Sequence, residues 1–323
     1  MSFPEIPAAL KLIYPLVLLL LCSPAQSATF AYITNQGGDD VAVINLEQNK
    51  VIARIKVGHM PAGVATSRDG TRVYVTNPEG KSVSIIDTGR MQEIKRVSVG
   101  DGPLGITMSA DDRCVFIADW YRNVIYLLNT ETNELDGEIK VGKAPAGIAA
   151  DPDGEHIYVT NRDDNTVMKI NIRDRKIIAT VATGKAPFGV TVVPELRRLY
   201  TANVQDGNVS VIDLDRFAVI ASFQARTFPY AIVYDPGHQR LFVTNQRDNS
   251  VSVVDAMNHE TIATIAVGDY PEGISIHPDG SYVYVACWFD GVISVIDTTT
   301  LAVVATVNAG EGSRAYGNFI SSR

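Results

Sequence analysis

The chain of 323 residues is 46% hydrophobic and 20% charged, a composition typical of one large globular domain or two small ones. Its 28 basic residues against 36 acidic ones give a formal net charge of -8, and the basic residues form no long runs. Because nucleic-acid phosphates attract clustered positive charge, this composition argues against nucleic acid as a partner.

The first 27 residues have the features of a signal peptide. Lys11 precedes an apolar run at 12–22, and a small-residue cleavage site of the Ala25-x-Ser27 type follows. An apolar run of 11 residues is too short to cross a bilayer, which takes about 20 residues. We therefore predict a signal peptide at 1–27, export to the periplasm, and a mature domain at 28–323 with no membrane span.

The three cysteines allow two covalent modifications of an exported chain, a lipid anchor and a disulfide, as alternatives to free thiols. A lipid anchor on Cys22 is one, but Leu21 is not the small residue that bacterial lipoproteins carry before the anchored cysteine. A disulfide between Cys114 and Cys287 is the other, since exported proteins permit one. The repeat described next puts these two cysteines at opposite ends of strands in separate repeats. We therefore expect cleavage, release and two free thiols.

A 42-residue repeat runs through the mature chain. An Asn or Asp that closes an apolar run recurs at this spacing from Asn45 to Asp297, and a proline does so from Pro61 to Pro271, with Ser313 in the seventh place. Three landmarks in one register define seven copies of one structural unit. The third landmark is an aromatic residue, at Tyr32, Tyr74, Phe116, Tyr158, Tyr200, Phe242 and Tyr284.

Each unit has the pattern of four short strands. In the fourth repeat, the first strand is predicted over 147–150 and the second over 156–160, with a Pro-Asp-Gly turn between them. In other repeats the third strand is clearest over 209–213, and the fourth over 261–267. β-Branched residues at period two between turn residues are typical of strands and hairpins.

Seven four-stranded units predict an all-β protein, a seven-bladed β-propeller of antiparallel blades. The mature chain begins in a second strand, over 30–34, and ends in a lone first strand, over 315–320. We expect these two segments to share one blade, which closes the ring and leaves no long exposed edge.

Several motifs resemble the signature of the YVTN family of YncE-like, seven-bladed β-propeller repeat proteins. They include VYVTN at 73–77, IYVTN at 157–161 and PAGV at 61–64, and the resemblance covers 29–323. It implies an exported propeller, in a family with some members similar to accessory proteins of periplasmic quinoprotein oxidation. More distant relatives of the same shape include lactonases and redox-enzyme domains, and fold alone does not choose among these functions.

Two of the repeats that depart from the Thr-Asn motif hold the two tryptophans of the chain. The third repeat has Ala-Asp before Trp120, and the seventh has Ala-Cys before Trp288. The loop after the second strand of a blade opens on the same face as the Pro-x-Gly loop that enters the first strand. We call this the loop face, and we expect both tryptophans on it, nearly opposite each other across the ring.

The loop face is the predicted binding site, an aromatic platform with a few charged groups over the tunnel mouth. Aromatic side chains bury a large area at little entropic cost, and an arginine can hold a carboxylate with two hydrogen bonds. The alternative is that the tryptophans only fill gaps between blades. The predicted ligand- or partner-binding residues are Trp120, Tyr121, Arg122, Arg162, Phe188, Tyr230, Tyr270, Glu272, Trp288, Phe289 and Arg314.

Groups suited to catalysis are sparse. Of the five histidines only His59 maps to the loop face, and no pair has metal-ligand spacing, so neither a metal nor a cofactor is predicted. Neither a nucleophile elbow nor a C-x-x-C-H haem motif occurs. A lactonase-like reaction would use Glu272 as general base and Arg314 to stabilise an oxyanion.

The sequence therefore predicts an exported, monomeric, non-catalytic propeller that binds a small molecule or a protein partner at its loop face. Association with PQQ-dependent, periplasmic quinoprotein oxidation is the favoured setting. A hydrolase of sugar lactones, using Glu272 and Arg314, is one alternative. A structural propeller of the cell envelope is the other.

Overall fold

A computed structural model describes residues 1–2 and 28–322 of the chain. The signal peptide predicted at 1–27 falls almost wholly outside these described residues. Residues 29–322 form seven β-sheets arranged as the predicted seven-bladed propeller. Within the described part of the chain, the helices are single 3₁₀ turns, and none of them is long and apolar enough to cross a membrane. These turns lie at Arg162–Asp164, Pro194–Leu196 and Gln246–Asp248.

The first four blades follow one another along the chain, each with its strands in sequence order. Blade 1 contains β1 (Thr29–Asn35), β2 (Asp40–Asn45) and β3 (Lys50–Lys56). Blade 2 contains β4 (Gly63–Thr66), β5 (Arg72–Asn77), β6 (Ser82–Asp87) and β7 (Gln92–Ser98). Blade 3 contains β8 (Pro103–Met108), β9 (Cys114–Asp119), β10 (Val124–Asn129) and β11 (Glu134–Lys140). Blade 4 contains β12 (Pro145–Ala150), β13 (His156–Asn161), β14 (Thr166–Asn171) and β15 (Lys176–Ala182).

The remaining three blades repeat this order, and two short strands end the chain. Blade 5 contains β16 (Pro187–Val193), β17 (Arg198–Asn203), β18 (Asn208–Asp213) and β19 (Ala218–Gln224). Blade 6 contains β20 (Pro229–Asp235), β21 (Arg240–Asn245), β22 (Ser250–Asp255) and β23 (Thr261–Ala266). Blade 7 contains β24 (Pro271–Ile276), β25 (Tyr282–Cys287), β26 (Val292–Asp297) and β27 (Ala302–Asn308). The terminal strands are β28 (Tyr316–Asn318) and β29 (Ile320–Ser322).

The two ends of the described chain close the ring together, as the sequence predicts. β29 pairs antiparallel with β1, so both ends share blade 1. The closing segment differs from the single strand expected over 315–320, because β28 pairs in parallel with β4 of blade 2 instead. Tyr316, at the start of β28, reaches across the axis and donates to the carbonyl oxygen of Phe188 in blade 5 at 3.2 Å.

The threonine of the repeated motif joins neighbouring blades. In blade 4, the Thr160 hydroxyl accepts from the Gly147 N–H of its own blade at 2.7 Å and donates to the Phe188 carbonyl of blade 5 at 2.8 Å. One hydroxyl thus satisfies two buried backbone groups near the axis. The same pair of hydrogen bonds is made by Thr34, Thr76 and Thr244.

Alanine replaces this threonine in blades 3, 5 and 7, which include the two blades with tryptophans. In blade 7, where Ala286 stands, the Gly273 N–H donates directly to the Arg314 carbonyl oxygen at 3.1 Å. A Cβ at Gly273 would lie 2.4 Å from that oxygen, so only glycine allows this approach. The backbone of the closing segment therefore takes over the role of the missing hydroxyl.

The recurring aromatic residue of each second strand supplies the core of its blade. All seven of these side chains are at most 2% exposed, and Val, Ile and Ala residues of adjacent blades surround them. Burying apolar area of this size is the main favourable contribution to folding. Cys114 in blade 3 and Cys287 in blade 7 are free, the first half-buried and the second buried.

Candidate ligand-binding site on the loop face

An aromatic cluster, here named the channel plug, fills the axis just beneath the loop face. It consists of Phe188, Tyr230 and Tyr316, each at most 6% exposed. The ring centroids of Phe188 and Tyr230 are 4.2 Å apart, and Tyr316 meets Phe188 edge-on at 5.2 Å. Phe188 and Tyr230, expected to belong to a recessed aromatic platform over the tunnel mouth, are largely buried within a packed cluster.

Tyr316 was missed as a site residue, although the sequence carries a signal for it. At the same register, the other six repeats have Val64, Ile106, Ile148, Val190, Ile232 and Ile274. A lone aromatic residue in a column of aliphatic ones marks a departure from the repeat.

A buried ion pair lies next to the channel plug. The Arg314 Nε and the Glu272 Oε2 are 2.6 Å apart, and the two side chains are only 19% and 8% exposed. The N–H is not directed at the oxygen, so the contact is ionic without a well-formed hydrogen bond. The Arg314 Nη2 donates to the Tyr230 hydroxyl at 2.7 Å, and the Gln246 amide donates to the other Glu272 oxygen at 2.6 Å.

The electrostatics of this network follow from its burial. Burial is the largest single influence on Arg314 and opposes its charge, but the Glu272 carboxylate and the Tyr230 hydroxyl together outweigh burial and raise the pKa of the guanidinium above its usual value. Burial also raises the pKa of the Tyr230 and Tyr316 hydroxyls, which therefore stay protonated at neutral pH. The network is thus a fixed positive and negative charge surrounded by neutral hydroxyls.

The loop-face surface beside the plug contains a cleft of about 320 Å³, which we call the Trp120 cleft. Trp120 is half-buried, and its ring centroid lies 6.2 Å from that of Phe188. The Arg162 guanidinium lies 5.6 Å from the indole centroid, within range of a cation–π contact. The cleft is lined by Gln36, Met60, Pro78, Glu79, Gly102, Leu104, Trp120, Tyr121, Phe188 and Arg314.

The loop that carries Trp120 is held by the aspartate that replaces the motif asparagine. One Asp119 oxygen accepts from the backbone N–H groups of Tyr121 and Arg122, both at 3.0 Å. The other accepts from the Asp101 N–H at 2.6 Å, which ties the loop to the preceding connection. The cap at the end of the second strand is therefore kept in blade 3, and Trp120 is not a replacement for it.

Trp288 of blade 7 does not line the Trp120 cleft itself, but it contacts Gln36 of blade 1, which does. Its indole N–H donates to the Gln36 Oε1 at 2.8 Å, and Gln36 lines the Trp120 cleft. Tyr270 and Phe289 flank the indole, with ring centroids 6.2 Å from it in both cases. Neither tryptophan is fully buried. Gln36 contacts Trp288 and also lines the cleft that contains Trp120.

The remaining predicted residues lie at the rim of the loop face, where Arg162 is half-buried and the others are exposed. Tyr121 is 67% exposed and Phe289 is 70% exposed. Arg122 lies 3.7 Å from Asp101, and Arg162 lies 2.6 Å from Asp163. Surface ion pairs of this kind contribute little stability.

The histidines do not meet at the site. His59 lies at the exposed rim, 3.1 Å from Asp39. On the far face, the turn of blade 4 brings Asp151, Asp153 and His156 within 4.8 Å of one another, a group that the sequence reasoning did not identify. Their oxygens and nitrogens already bond to protein groups, including His156 to Asp153 at 2.7 Å.

Two family profiles match the sequence. The YNCE-like beta-propeller profile matches residues 20–198, more than half of the chain, and the cytochrome D1 heme domain profile matches residues 201–316. No functionally curated protein matches the chain.

Solved structures share the fold at low sequence identity. Hydrazine synthase of Kuenenia stuttgartiensis is 22% identical, with a TM-score of 0.77 over 83% of this chain and 92% of that one. A functionally unknown protein from Desulfotomaculum acetoxidans DSM 771 is 14% identical, with a TM-score of 0.79 over 91% and 98%. Dihydro-heme d1 dehydrogenase NirN, in complex with DHE, is 19% identical, with a TM-score of 0.69 over 90% and 65%.

Identities this low establish only a common fold with those three proteins. The profile match, by contrast, spans four repeats of the chain, and the structure has the seven blades of a propeller. The chain belongs to the YNCE-like beta-propeller family.

Proposed function

We propose that the protein is a non-catalytic binding protein that takes a small planar molecule in the Trp120 cleft. The observation that carries this proposal is the cleft itself, in which an indole ring, a phenylalanine and an arginine converge beside a closed channel. Its volume of about 320 Å³ lies within the range of small-molecule sites, and its mixed aromatic and polar lining is typical of them.

The setting of Glu272 favours binding over lactone hydrolysis. A general base must come within hydrogen-bond reach of the substrate proton that it removes. The Glu272 side chain is 8% exposed, one of its oxygens lies against Arg314, and the other accepts from Gln246. Glu272 and Arg314 neutralise each other inside the protein, which leaves neither poised for the roles that a lactonase would require.

We place this binding protein in an exported redox system. The predicted signal peptide at 1–27 supports export. The match of residues 201–316 to the cytochrome D1 heme domain and the fold shared with a dehydrogenase, NirN, support a redox setting. The resemblance to accessory proteins of quinoprotein oxidation makes PQQ, a planar carboxylated quinone, the first probe to use.

The experiment is a titration of the purified protein with PQQ, sugar lactones and haem, followed by intrinsic fluorescence and calorimetry. We expect saturable binding that is lost in Trp120→Phe and kept in Thr299→Val, a control at an exposed residue outside the cleft. Turnover of a lactone that disappears in Glu272→Gln would replace this proposal with the hydrolase. Variants that lose stability while every ligand is ignored would favour a structural role.

A further inference from the structure

We infer, on the basis of the proposed binding function, that Trp288 and Gln36 determine which ligand the Trp120 cleft accepts. Trp288 orients the Gln36 amide so that its NH₂ group faces the cleft, and the cleft thereby selects a planar ligand with a carboxylate or another acceptor-only group.

The orientation of Gln36 follows from the chemistry of its partner. An indole N–H can only donate a hydrogen bond, so the atom 2.8 Å from the Trp288 Nε1 must be the carbonyl oxygen of the amide. In most glutamines the amide oxygen and nitrogen can exchange places, because their partners accept either. In Gln36 the exchange would place the NH₂ group next to the Trp288 N–H, and two donors cannot form a hydrogen bond. The Gln36 NH₂ group therefore keeps one orientation.

The side chain of Gln36 is also held in place mechanically. It is only 8% exposed, and its backbone N–H donates to the Gly312 carbonyl oxygen at 3.1 Å. Trp288 is fixed in turn, because its own backbone N–H donates to the Tyr270 carbonyl oxygen at 2.9 Å and its ring packs between two aromatic neighbours. A donor held this way loses little entropy when a ligand binds.

Three side-chain N–H donors in the lining of the cleft have no hydrogen-bond partner among the described residues, and none is sealed from solvent. They are the Gln36 Nε2, the Trp120 Nε1 and the Arg314 Nη1. The lining carboxylate, Glu79, lies at the exposed rim. A site built from donors rejects ligands that lack an acceptor, because its own groups would then stay unpaired.

The charges around the cleft narrow the ligand class further. The Glu272 Oε2 lies 2.6 Å from the Arg314 Nε, so the carboxylate offsets the positive charge of the guanidinium. Arg314 therefore offers the cleft an N–H donor with little net charge. Glu79 adds negative charge at the rim. The ligand that fits these donors is a flat conjugated body carrying one carboxylate, or quinone oxygens, directed at Gln36 and Arg314.

The test uses three naphthalene probes of one shape: 2-naphthoate, 2-naphthalenemethanol and 2-naphthylmethylammonium. Calorimetry on the purified protein should rank naphthoate first and the ammonium last. Gln36→Glu is nearly isosteric and can still accept from Trp288, but it turns a negative oxygen toward the cleft. We expect it to weaken naphthoate binding about tenfold or more, while the neutral alcohol changes less than about threefold.

Trp288→Phe tests the orienting role, since it keeps an aromatic ring and removes the N–H. The amide can then face either way, so the fraction of protein ready to bind falls to about half, and the apparent affinity for naphthoate falls about twofold. Because the chain has two tryptophans, the indole ¹⁵N–¹H spectrum has two signals that these variants assign. Naphthoate should shift the Trp120 signal, and Gln36→Glu should shift the Trp288 signal.

The outcomes separate this inference from the proposed function. A wild-type protein that binds the alcohol or the ammonium in preference to naphthoate would overturn the inference and leave a binding function. Unchanged naphthoate affinity in Gln36→Glu would exclude Gln36 as a specificity determinant. A protein that binds none of the three probes, and not PQQ either, would overturn both proposals.

Discussion

The buried ion pair between Arg314 and Glu272 makes Glu272→Gln the most informative single substitution for stability. Glutamine preserves the shape of the side chain and can still accept from Gln246. It removes the one negative charge that lies 2.6 Å from the guanidinium. The variant therefore leaves the Arg314 charge buried without compensation.

The size of the effect follows from how deeply the pair is buried. Removing one partner of a buried pair costs about 3–5 kcal/mol, because the remaining charge is uncompensated. Arg314 is 19% exposed and keeps its hydrogen bond to Tyr230, so the lower end applies, and we expect a loss of about 3 kcal/mol. The double substitution Glu272→Leu/Arg314→Met removes both charges, and it should cost less than the single one.

The assay is equilibrium unfolding in urea followed by circular dichroism, for the wild type, Glu272→Gln, the single variants Glu272→Leu and Arg314→Met, and the double variant. A double-mutant cycle then isolates the coupling between the two side chains. The reasoning is refuted if Glu272→Gln lies within about 0.5 kcal/mol of the wild type, the range of ordinary surface substitutions. It is refuted equally if the double variant loses as much stability as the two single variants added together.

Three further outcomes are expected. Thr160→Val removes the hydroxyl that joins blades 4 and 5 and should lower the free energy of unfolding by about 1–3 kcal/mol in the same urea assay. The control Thr299→Val, at an exposed residue, should cause no measurable change. Burial, with the nearby Arg198 charge, lowers the pKa of His259 below its usual value of 6.5. The unfolded chain therefore binds this proton more readily than the folded one, and the free energy of unfolding should fall as the pH drops below 6.5. His259→Phe should flatten that part of the pH profile measured by urea midpoints, and an unchanged slope would contradict this assignment. Burial raises the pKa of Cys114 to about 12 and that of Cys287 to about 11, so iodoacetamide at pH 8 should label both thiols slowly until urea unfolds the chain.

Much of the fold could be predicted because the repeat makes each blade a local pattern. Alternation of apolar and polar residues defines the strands, and turn residues at constant spacing separate them. The motif threonine illustrates what spacing cannot show. Its recurrence in the sequence marks the register, but its bonds to two blades at once depend on how closely the inner strands approach at the axis.

The candidate site could be predicted only in part, for a related reason. The large residues after the motif proline identify the loop face, and Phe188, Tyr230, Glu272 and Arg314 do lie together there. Their sequence spacing shows neither that the two charged groups neutralise each other nor that the aromatic rings close the channel. Gln36 gave no signal at all, because a glutamine after a Thr-Asn motif looks like any other polar loop residue.

The sequence by itself determined the number of blades, the strands within them, the closure of the ring by its two ends, and the face that carries the unusual residues. These properties depend on local patterns and on counting repeats. Only the tertiary structure decided that Tyr316 crosses the axis, that Arg314 is paired inside the protein, and that Trp288 holds Gln36 toward the Trp120 cleft. Tyr316 meets Phe188 because the inner strands of all blades converge on the axis, and Trp288 meets Gln36 because ring closure sets blade 7 beside blade 1. Neither contact follows from the order of the residues in the sequence.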